Sequence, residues 1–228
     1  MKTITIINGS PRKNGATGKI LQAFKTQLEE HGNVEIHYIN LVDYQLQNCL
    51  GCENCYKTGT CPVKDKAEEI NQAVTQSQGV IIGSPTYVSN VTGLLKNYID
   101  RGHIVVEQAL KGKYMFAVAT YEIAGGSSVI SILNTMFQYA GGIPAGKFVL
   151  KLNHNSNPFE HAKVLKKIKR KADKFYRAIH KYKRKSLFDR FINFVVLHLV
   201  IKRFVVRHSL RFNAVLQRWR EIKVIPQK

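Results

Sequence analysis

The chain has 228 residues, of which 44% are apolar and 22% charged, and a formal net charge of +20. That length suits one α/β domain with an appendage. No apolar run approaches the ~18 residues of a membrane-spanning helix, and the stretch from Ile4 to Ile7 is too short for a secretory leader, so a cytoplasmic protein is expected.

The charge is unevenly spread. Residues 1–162 carry 14 Lys/Arg against 12 Asp/Glu, whereas residues 163–228 carry 21 against 3. A near-neutral body with a basic tail implies two surfaces, the tail suited to anionic lipid, nucleic acid or an acidic protein.

Residues 3–8 (TITIIN) read as the first strand. The loop that follows, Asn8-Gly9-Ser10-Pro11-Arg12-Lys13-Asn14-Gly15-Ala16-Thr17-Gly18, leads into a helix over 19–31, with Ile20, Leu21, Phe24 and Leu28 on one face and Gly32 as a stop. Glycines permit close backbone approach, a helix start offers free N–H groups, and Ser10, Thr17 and Arg12 add donors, a combination that suits a phosphate. The plainer reading is a polar loop with Thr17 as N-cap. Neither the Gly-Lys-Ser/Thr of a P-loop nor the Gly-x-Gly-x-x-Gly dinucleotide pattern is present.

A second strand, 34–40 (VEIHYIN), precedes the segment that holds all four cysteines, Cys49, Cys52, Cys55 and Cys61, spaced C-x2-C-x2-C-x5-C and closed by Pro62. Such density in a reducing compartment argues against disulfides. It suits an iron–sulfur cluster or zinc, and free thiols remain a third reading because spacing alone does not choose a metal. The opening triplet and the final Cys-Pro resemble ferredoxin-type ligation with a longer last spacer. Asp65 and Glu68 then resemble a capping box before a helix with Ala67, Ile70, Ala73 and Val74 on its apolar face.

The third strand, 79–84 (GVIIGS), exits through Pro85-Thr86-Tyr87-Val88-Ser89-Asn90. Pro85 stiffens the exit, and the flat face of Tyr87 suits a planar ring, unless it only covers the core. A helix over 91–101 follows, then a fourth strand, 114–120 (YMFAVAT). Its exit loop, Thr120 through Gly125-Gly126-Ser127, offers backbone N–H groups or is a plain helix entry. A helix over 127–140, a fifth strand over 147–152 (KFVLKL) and a helix over 159–182 complete the order. Alternating strands and helices imply a parallel sheet with helices on both faces. Ligands in such sheets sit beyond the carboxyl ends of the strands, where strand order reverses.

Gly9-Ser10-Pro11-Arg12 with Gly15-Ala16-Thr17, then Pro85-Thr86-Tyr87 ahead of a helix carrying Lys96 and Asp100-Arg101, resembles the NAD(P)H-dependent FMN reductases of the flavodoxin-like fold, over about residues 1–155. The cysteine segment is similar to that of their iron–sulfur flavoprotein branch. The resemblance implies that Ser10, Arg12, Ala16, Thr17 and Gly18 hold the FMN phosphate. It implies that Pro85, Thr86, Tyr87 and Val88 contact the ring and ribityl chain, and that Thr120, Gly125 and Gly126 close the site. It further implies that Cys49, Cys52, Cys55 and Cys61 bind a 4Fe-4S cluster exchanging electrons with FMN. Because the cysteine loop follows the second strand and extends from the same sheet edge as the flavin site, a dimer is expected to set the cluster near the partner's flavin. Ala16 departs from the Asn or Ser common in the family, which weakens phosphate binding. Asp100 and Arg101 are expected to form a structural ion pair.

The tail reads in two parts. Residues 163–185 carry 12 Lys/Arg and one acid on an amphipathic helix, whose charge is most simply a solvated face, with no nucleic-acid-binding module beside it. Beyond it, a basic apolar segment centred on residues 191–201 either packs against its own domain or a second subunit, or lies in a membrane interface. His198 within it reads as a buried histidine. The expected architecture is a flavodoxin-like five-stranded domain (1–155), a basic helix completing it (156–185) and a C-terminal extension (186–228). The expected function is FMN-dependent electron transfer from NAD(P)H to a small-molecule or protein acceptor, in a homodimer or higher oligomer without nucleic acid. The rival is a non-catalytic metal-binding or membrane-surface adaptor on the same fold.

Overall fold

A strand covered on both faces needs an almost continuous apolar run, and three such runs occupy the centre of the sheet. In the computed structural model, which describes residues 1–101, 104–160, 162–181, 191 and 194–226 (196 and 198 by backbone alone), five parallel strands run in the order β2-β1-β3-β4-β5. They are β1 (Lys2–Asn8), β2 (Val34–Asn40), β3 (Gly79–Pro85), β4 (Tyr114–Tyr121) and β5 (Ile143–Lys151). The first crossover runs to one side of β1 and the next returns to the other, so strand order reverses between β1 and β3, and the flavodoxin-like arrangement opens its crevice there.

Helix α1 (Ala16–Glu29) and helix α7 (Ala162–His180) cover one face. Phe24 of α1 and Phe175 of α7 meet Phe116 at ring-centroid distances of 5.0 and 5.7 Å, with Ile4, Ile6, Ile81 and Phe148 in the same core. The other face is covered by α3 (Ala67–Gln76), α4 (Gly93–Arg101), α5 (Ile104–Glu107) and α6 (Gly126–Tyr139), which bury Ile70, Leu95, Tyr98, Leu133 and Phe137 against Ile7, Val80, Ile82 and Met115. Burying a side chain of this size stabilises by roughly 1.5–3 kcal/mol.

The predicted elements recur, β2 to the residue and most others with shifted ends. β5 begins four residues before the expected 147 because Pro144 and Gly146, poor strand formers, are tolerated on an edge strand where the register slips between Met115 and Phe116. In α7, Ile168, Ala172, Phe175 and Ile179 are buried at helical spacing, while Leu165 on the same helix is 46% exposed.

The short helix α2 (Asn54–Thr58) lies inside the cysteine segment. The C-terminal extension folds as a π-helical stretch (Val195–Ile201) running into α8 (Lys202–Arg207), a turn, and α9 (Asn213–Glu221). Val205, Phe212, Val215, Leu216 and Trp219 form a separate small core that takes in Tyr56 of α2 and Val106 of α5. Part of the extension therefore packs on its own domain. The His198 side chain lies outside the described residues. Among the described residues no helix is long and apolar enough to cross a membrane.

Candidate functional site

The loop after β1 is held from inside. Asn8 Oδ1 accepts from Ser10 N at 3.1 Å, and the Ser10 hydroxyl donates to Arg12 O at 3.0 Å while accepting from Arg12 N at 3.1 Å. Thr92, just ahead of α4, donates to Gly9 O at 2.6 Å and ties the loops after β1 and β3 together. Gly18 fits because a Cβ there would lie 1.8 Å from Lys13 O. The N-terminus of α1 has Gly15 as N-cap, no side-chain cap and no acid in its first turn. Its opening N–H groups have no acceptor inside the helix and, with Arg12, Lys13 and Lys19 nearby, suit a phosphate.

Lys13, Asn14, Gly15 and Lys19 border a cleft of about 510 Å³, within the roughly 300–1,000 Å³ usual for cofactor sites. Arg12, Ala16, Pro85, Thr86, Tyr87 and Thr120 line it. Ser10 and Thr17 are buried and do not line it, and the Thr17 and Thr120 hydroxyls meet at 2.7 Å. Thr86 donates its backbone N–H to Thr120 O at 2.8 Å, while its hydroxyl is buried without a hydrogen-bond partner among the described residues.

Tyr87 and Asn90 exchange backbone hydrogen bonds across a two-residue turn in which Val88 (φ 49°) and Ser89 (φ 57°) are both left-handed. Such a conformation in a β-branched residue stores strain of about 1–3 kcal/mol, and Val88 stands fully exposed at the tip. Gly125 (φ +87°) backs onto this turn, where a Cβ would come within 2.7 Å of Ser89 Cα and 2.9 Å of Thr86 Cγ2. Gly126 opens α6 against the Tyr121 ring.

The loop after β5 completes the cleft, which the sequence reading missed. Leu152, Asn153, His154, Asn155 and Ser156 line one wall. Arg12 donates to Asn155 Oδ1 at 2.7 Å, and His154 N donates to Glu122 Oε1 at 3.0 Å. The available signal was topological, since β5 neighbours β4 and its exit loop must open onto the same rim.

All four cysteines line one smaller cavity of about 160 Å³. Cys49 and Cys52 are exposed, Cys55 and Cys61 half-buried, and none is in a disulfide. Left-handed Gly51, Glu53 and Gly59 curl the backbone around it. Burial, with Cys61, Glu107 and Cys49 nearby, pushes the Cys55 thiol up to about 11. Among the described residues no three Cys, His, Asp or Glu side chains come together at the spacing of a single metal ion. Arg101 forms the cavity's inner wall, with Nη2 3.4 Å from Cys61 Sγ. Its ion-pair partner is Asp65, not Asp100. Asp100 instead binds Lys96 one helical turn away at 2.6 Å. Asp65 also accepts from Gln47 N and Ala67 N, both at 3.0 Å, and so anchors both ends of the cysteine segment. Its Oδ1 thus serves the backbone at the start of α3, while Glu68 makes no reciprocal bond among those described.

The outer side of the segment is held by the extension. Arg211 pairs with Glu53, the Tyr56 and Phe212 rings lie 5.2 Å apart, and Trp219 Nε1 donates to Val106 O at 2.9 Å.

Comparison with known proteins agrees with this geometry. The NADPH-dependent FMN reductase family matches residues 1–156. An iron–sulfur flavoprotein of Clostridioides difficile is 40% identical over 224 residues, covering 97% of this chain and 99% of its own length, so it shares the extension. An iron–sulfur flavoprotein of Archaeoglobus fulgidus is 34% identical over 151 residues, covering 64% of this chain and 66% of its own. Among solved structures, an NADH:FMN oxidoreductase superposes with a TM-score of 0.59 at 20% identity, covering 78% of this chain and 90% of its own, a likeness of fold. With its reversed-order sheet, uncapped α1 terminus and matching sequence over the whole domain, the chain belongs to the NADPH-dependent FMN reductase family of flavin-dependent oxidoreductases.

Proposed function

We propose that the chain is an iron–sulfur flavoprotein that oxidises NAD(P)H and delivers electrons to a small-molecule or protein acceptor. Ser10, Arg12, Ala16, Thr17 and Gly18 hold the FMN phosphate, and Pro85, Thr86, Tyr87, Val88, Thr120, Gly125 and Gly126 flank the rest of the flavin. Cys49, Cys52, Cys55 and Cys61 hold a 4Fe-4S cluster. Bound there, the flavin supplies hydride exchange with the nicotinamide and the cluster supplies single-electron exchange.

The observation that carries this reading is the lining of one cavity by all four cysteines, on a chain whose α1 N-terminus also presents backbone donors without a side-chain cap. The protein's own contribution is orientation and charge. Arg12 and the α1 terminus neutralise the phosphate. The Thr86 hydroxyl, buried without a hydrogen-bond partner among the described residues, is a candidate donor to the flavin. Arg101 places a fixed cation against thiolates that carry negative charge once ligating. No side chain is needed as acid or base. The cysteine segment follows β2 and so extends from the same edge of the sheet as the flavin cleft, and in a homodimer the cluster exchanges electrons with the partner's flavin.

Anaerobic titration with NADH and with NADPH, followed by loss of flavin absorbance, tests the donor, and bleaching is expected with at least one of them. Cys52→Ser is expected to lose most of its iron while retaining FMN. Iron content equal to wild type would remove the cluster from the account, and a protein that binds no added FMN would leave a non-catalytic adaptor.

A further inference from the structure

The extension has an outward face that the folded domain does not use. Inward, Leu197, Ile201 and Val205 recur every four residues and pack with Phe212, Val215, Leu216 and Trp219. Outward, Leu199, Lys202, Arg203 and Val206 follow an i, i+3, i+4, i+7 spacing and share the opposite face. Lys202, Arg203, Val206 and Arg207 border an open groove there. Leu199, Val200 and Val206 are about half exposed or more, and Leu210, in the turn after α8, is 88% exposed. Between residues 191 and 220 the sequence holds six Lys/Arg and no Asp or Glu.

We propose that this face docks on an anionic lipid bilayer, lying among the headgroups without crossing them. Aliphatic side chains set between cations match both layers of that surface at once. The cations meet lipid phosphates, and the apolar groups enter the boundary with the hydrocarbon. The charge argues against a second copy, and the apolar groups argue against a nucleic acid. A second copy in a two-fold contact would set this acid-free patch against itself, cation facing cation. The remainder of another copy offers little better, because residues 1–162 are nearly neutral. A nucleic acid would satisfy the cations but leave the exposed leucines and valines without an apolar partner. The relative sharing 40% identity along the whole chain has residues over the same stretch, so the extension is not peculiar to this chain.

The test is flotation of the full chain with phosphatidylcholine vesicles, with and without phosphatidylglycerol, at low and high salt. Two triple variants accompany it, Leu199→Ser/Val200→Ser/Val206→Ser and Lys202→Gln/Arg203→Gln/Arg207→Gln. Mass by light scattering and the emission of the buried Trp219 confirm that assembly and docking of the extension are kept. Wild type is expected to float only with phosphatidylglycerol and to be released by salt. Removing three cations is expected to weaken partitioning on the order of 100-fold, at roughly fivefold per cation, and removing the aliphatics by at least about tenfold. Three results would overturn the proposal. They are no flotation with anionic vesicles, flotation of either variant at the wild-type level, and an apolar variant that floats normally but falls from oligomer to monomer, which would assign the face to a second copy.

Discussion

Arg101 and Asp65 form a buried ion pair behind the cysteine cavity, with Arg101 Nη2 donating to Asp65 Oδ1 at 2.9 Å. Burial raises the Asp65 carboxyl. The hydrogen bonds from Arg101 and from the N–H groups of Gln47 and Ala67 outweigh that and hold it below the usual carboxylate range. A group lowered on folding contributes stability that is fully present above its unfolded value, near ~3.9, and is lost as pH falls through its folded value. Urea unfolding is therefore expected to show wild-type stability falling below about pH 4, and a shallower acid decline in Asp65→Asn. An identical acid decline in both proteins would show that the pair does not govern it.

Gly18→Ala is expected to push the loop after β1 out of place, since the added methyl group would lie 1.8 Å from Lys13 O. Overpacking of this kind costs about 1–3 kcal/mol. FMN affinity, measured by fluorescence quenching, is expected to fall by at least about tenfold, equivalent to about 1.4 kcal/mol. Unchanged affinity would mean that the phosphate lies elsewhere.

Ala16→Ser is expected to act in the opposite sense. Ala16 already lines the cleft at the first turn of α1, and a hydroxyl there adds a donor to those of the backbone. A single new hydrogen bond to a charged group gives about 1.5–3 kcal/mol at best, so the FMN dissociation constant is expected to fall severalfold. A rise would show that the hydroxyl crowds the phosphate.

Trp219 is the chain's single tryptophan and is fully buried. Its emission therefore reports docking of the extension on α5 and the cysteine segment. Phe212→Ala removes a ring from that small core, at a cost of about 3–5 kcal/mol, and is expected to red-shift Trp219 emission while leaving the circular dichroism of the sheet domain largely intact. Unchanged emission would mean that the extension is held by other contacts.

The parts legible in the sequence were those governed by local pattern. β2 was read to the residue because its ends are marked by Gly32-Asn33 and by the turn at Leu41. The stripe Ile20, Leu21, Phe24 and Leu28 was read because period and burial coincide on α1. The glycine-bearing loops at the switch point were found because glycine and hydroxyls leave a visible trace. The wall at residues 152–156 left none, because an ordinary polar loop becomes part of a site only through strand order. The pairing of Asp100 with Arg101 was misread for a geometric reason. Successive residues on a helix point in different directions, so Asp100 turned to Lys96 and Arg101 turned inward to a residue 36 positions earlier. The division of the extension into a buried stripe and an outward face was hidden because residues 194–201 are apolar nearly all round and only packing separates Val205 from Val206.

The central claim is that one chain holds both a flavin and an iron–sulfur cluster, and the visible spectrum of anaerobically purified protein, with iron and FMN assayed on the same sample, tests it most directly. The account predicts flavin bands over a broad cluster absorbance, about one FMN and about four iron atoms per chain, with the iron lost and the flavin kept in Cys52→Ser. A colourless protein that takes up neither FMN nor iron when both are supplied would contradict it.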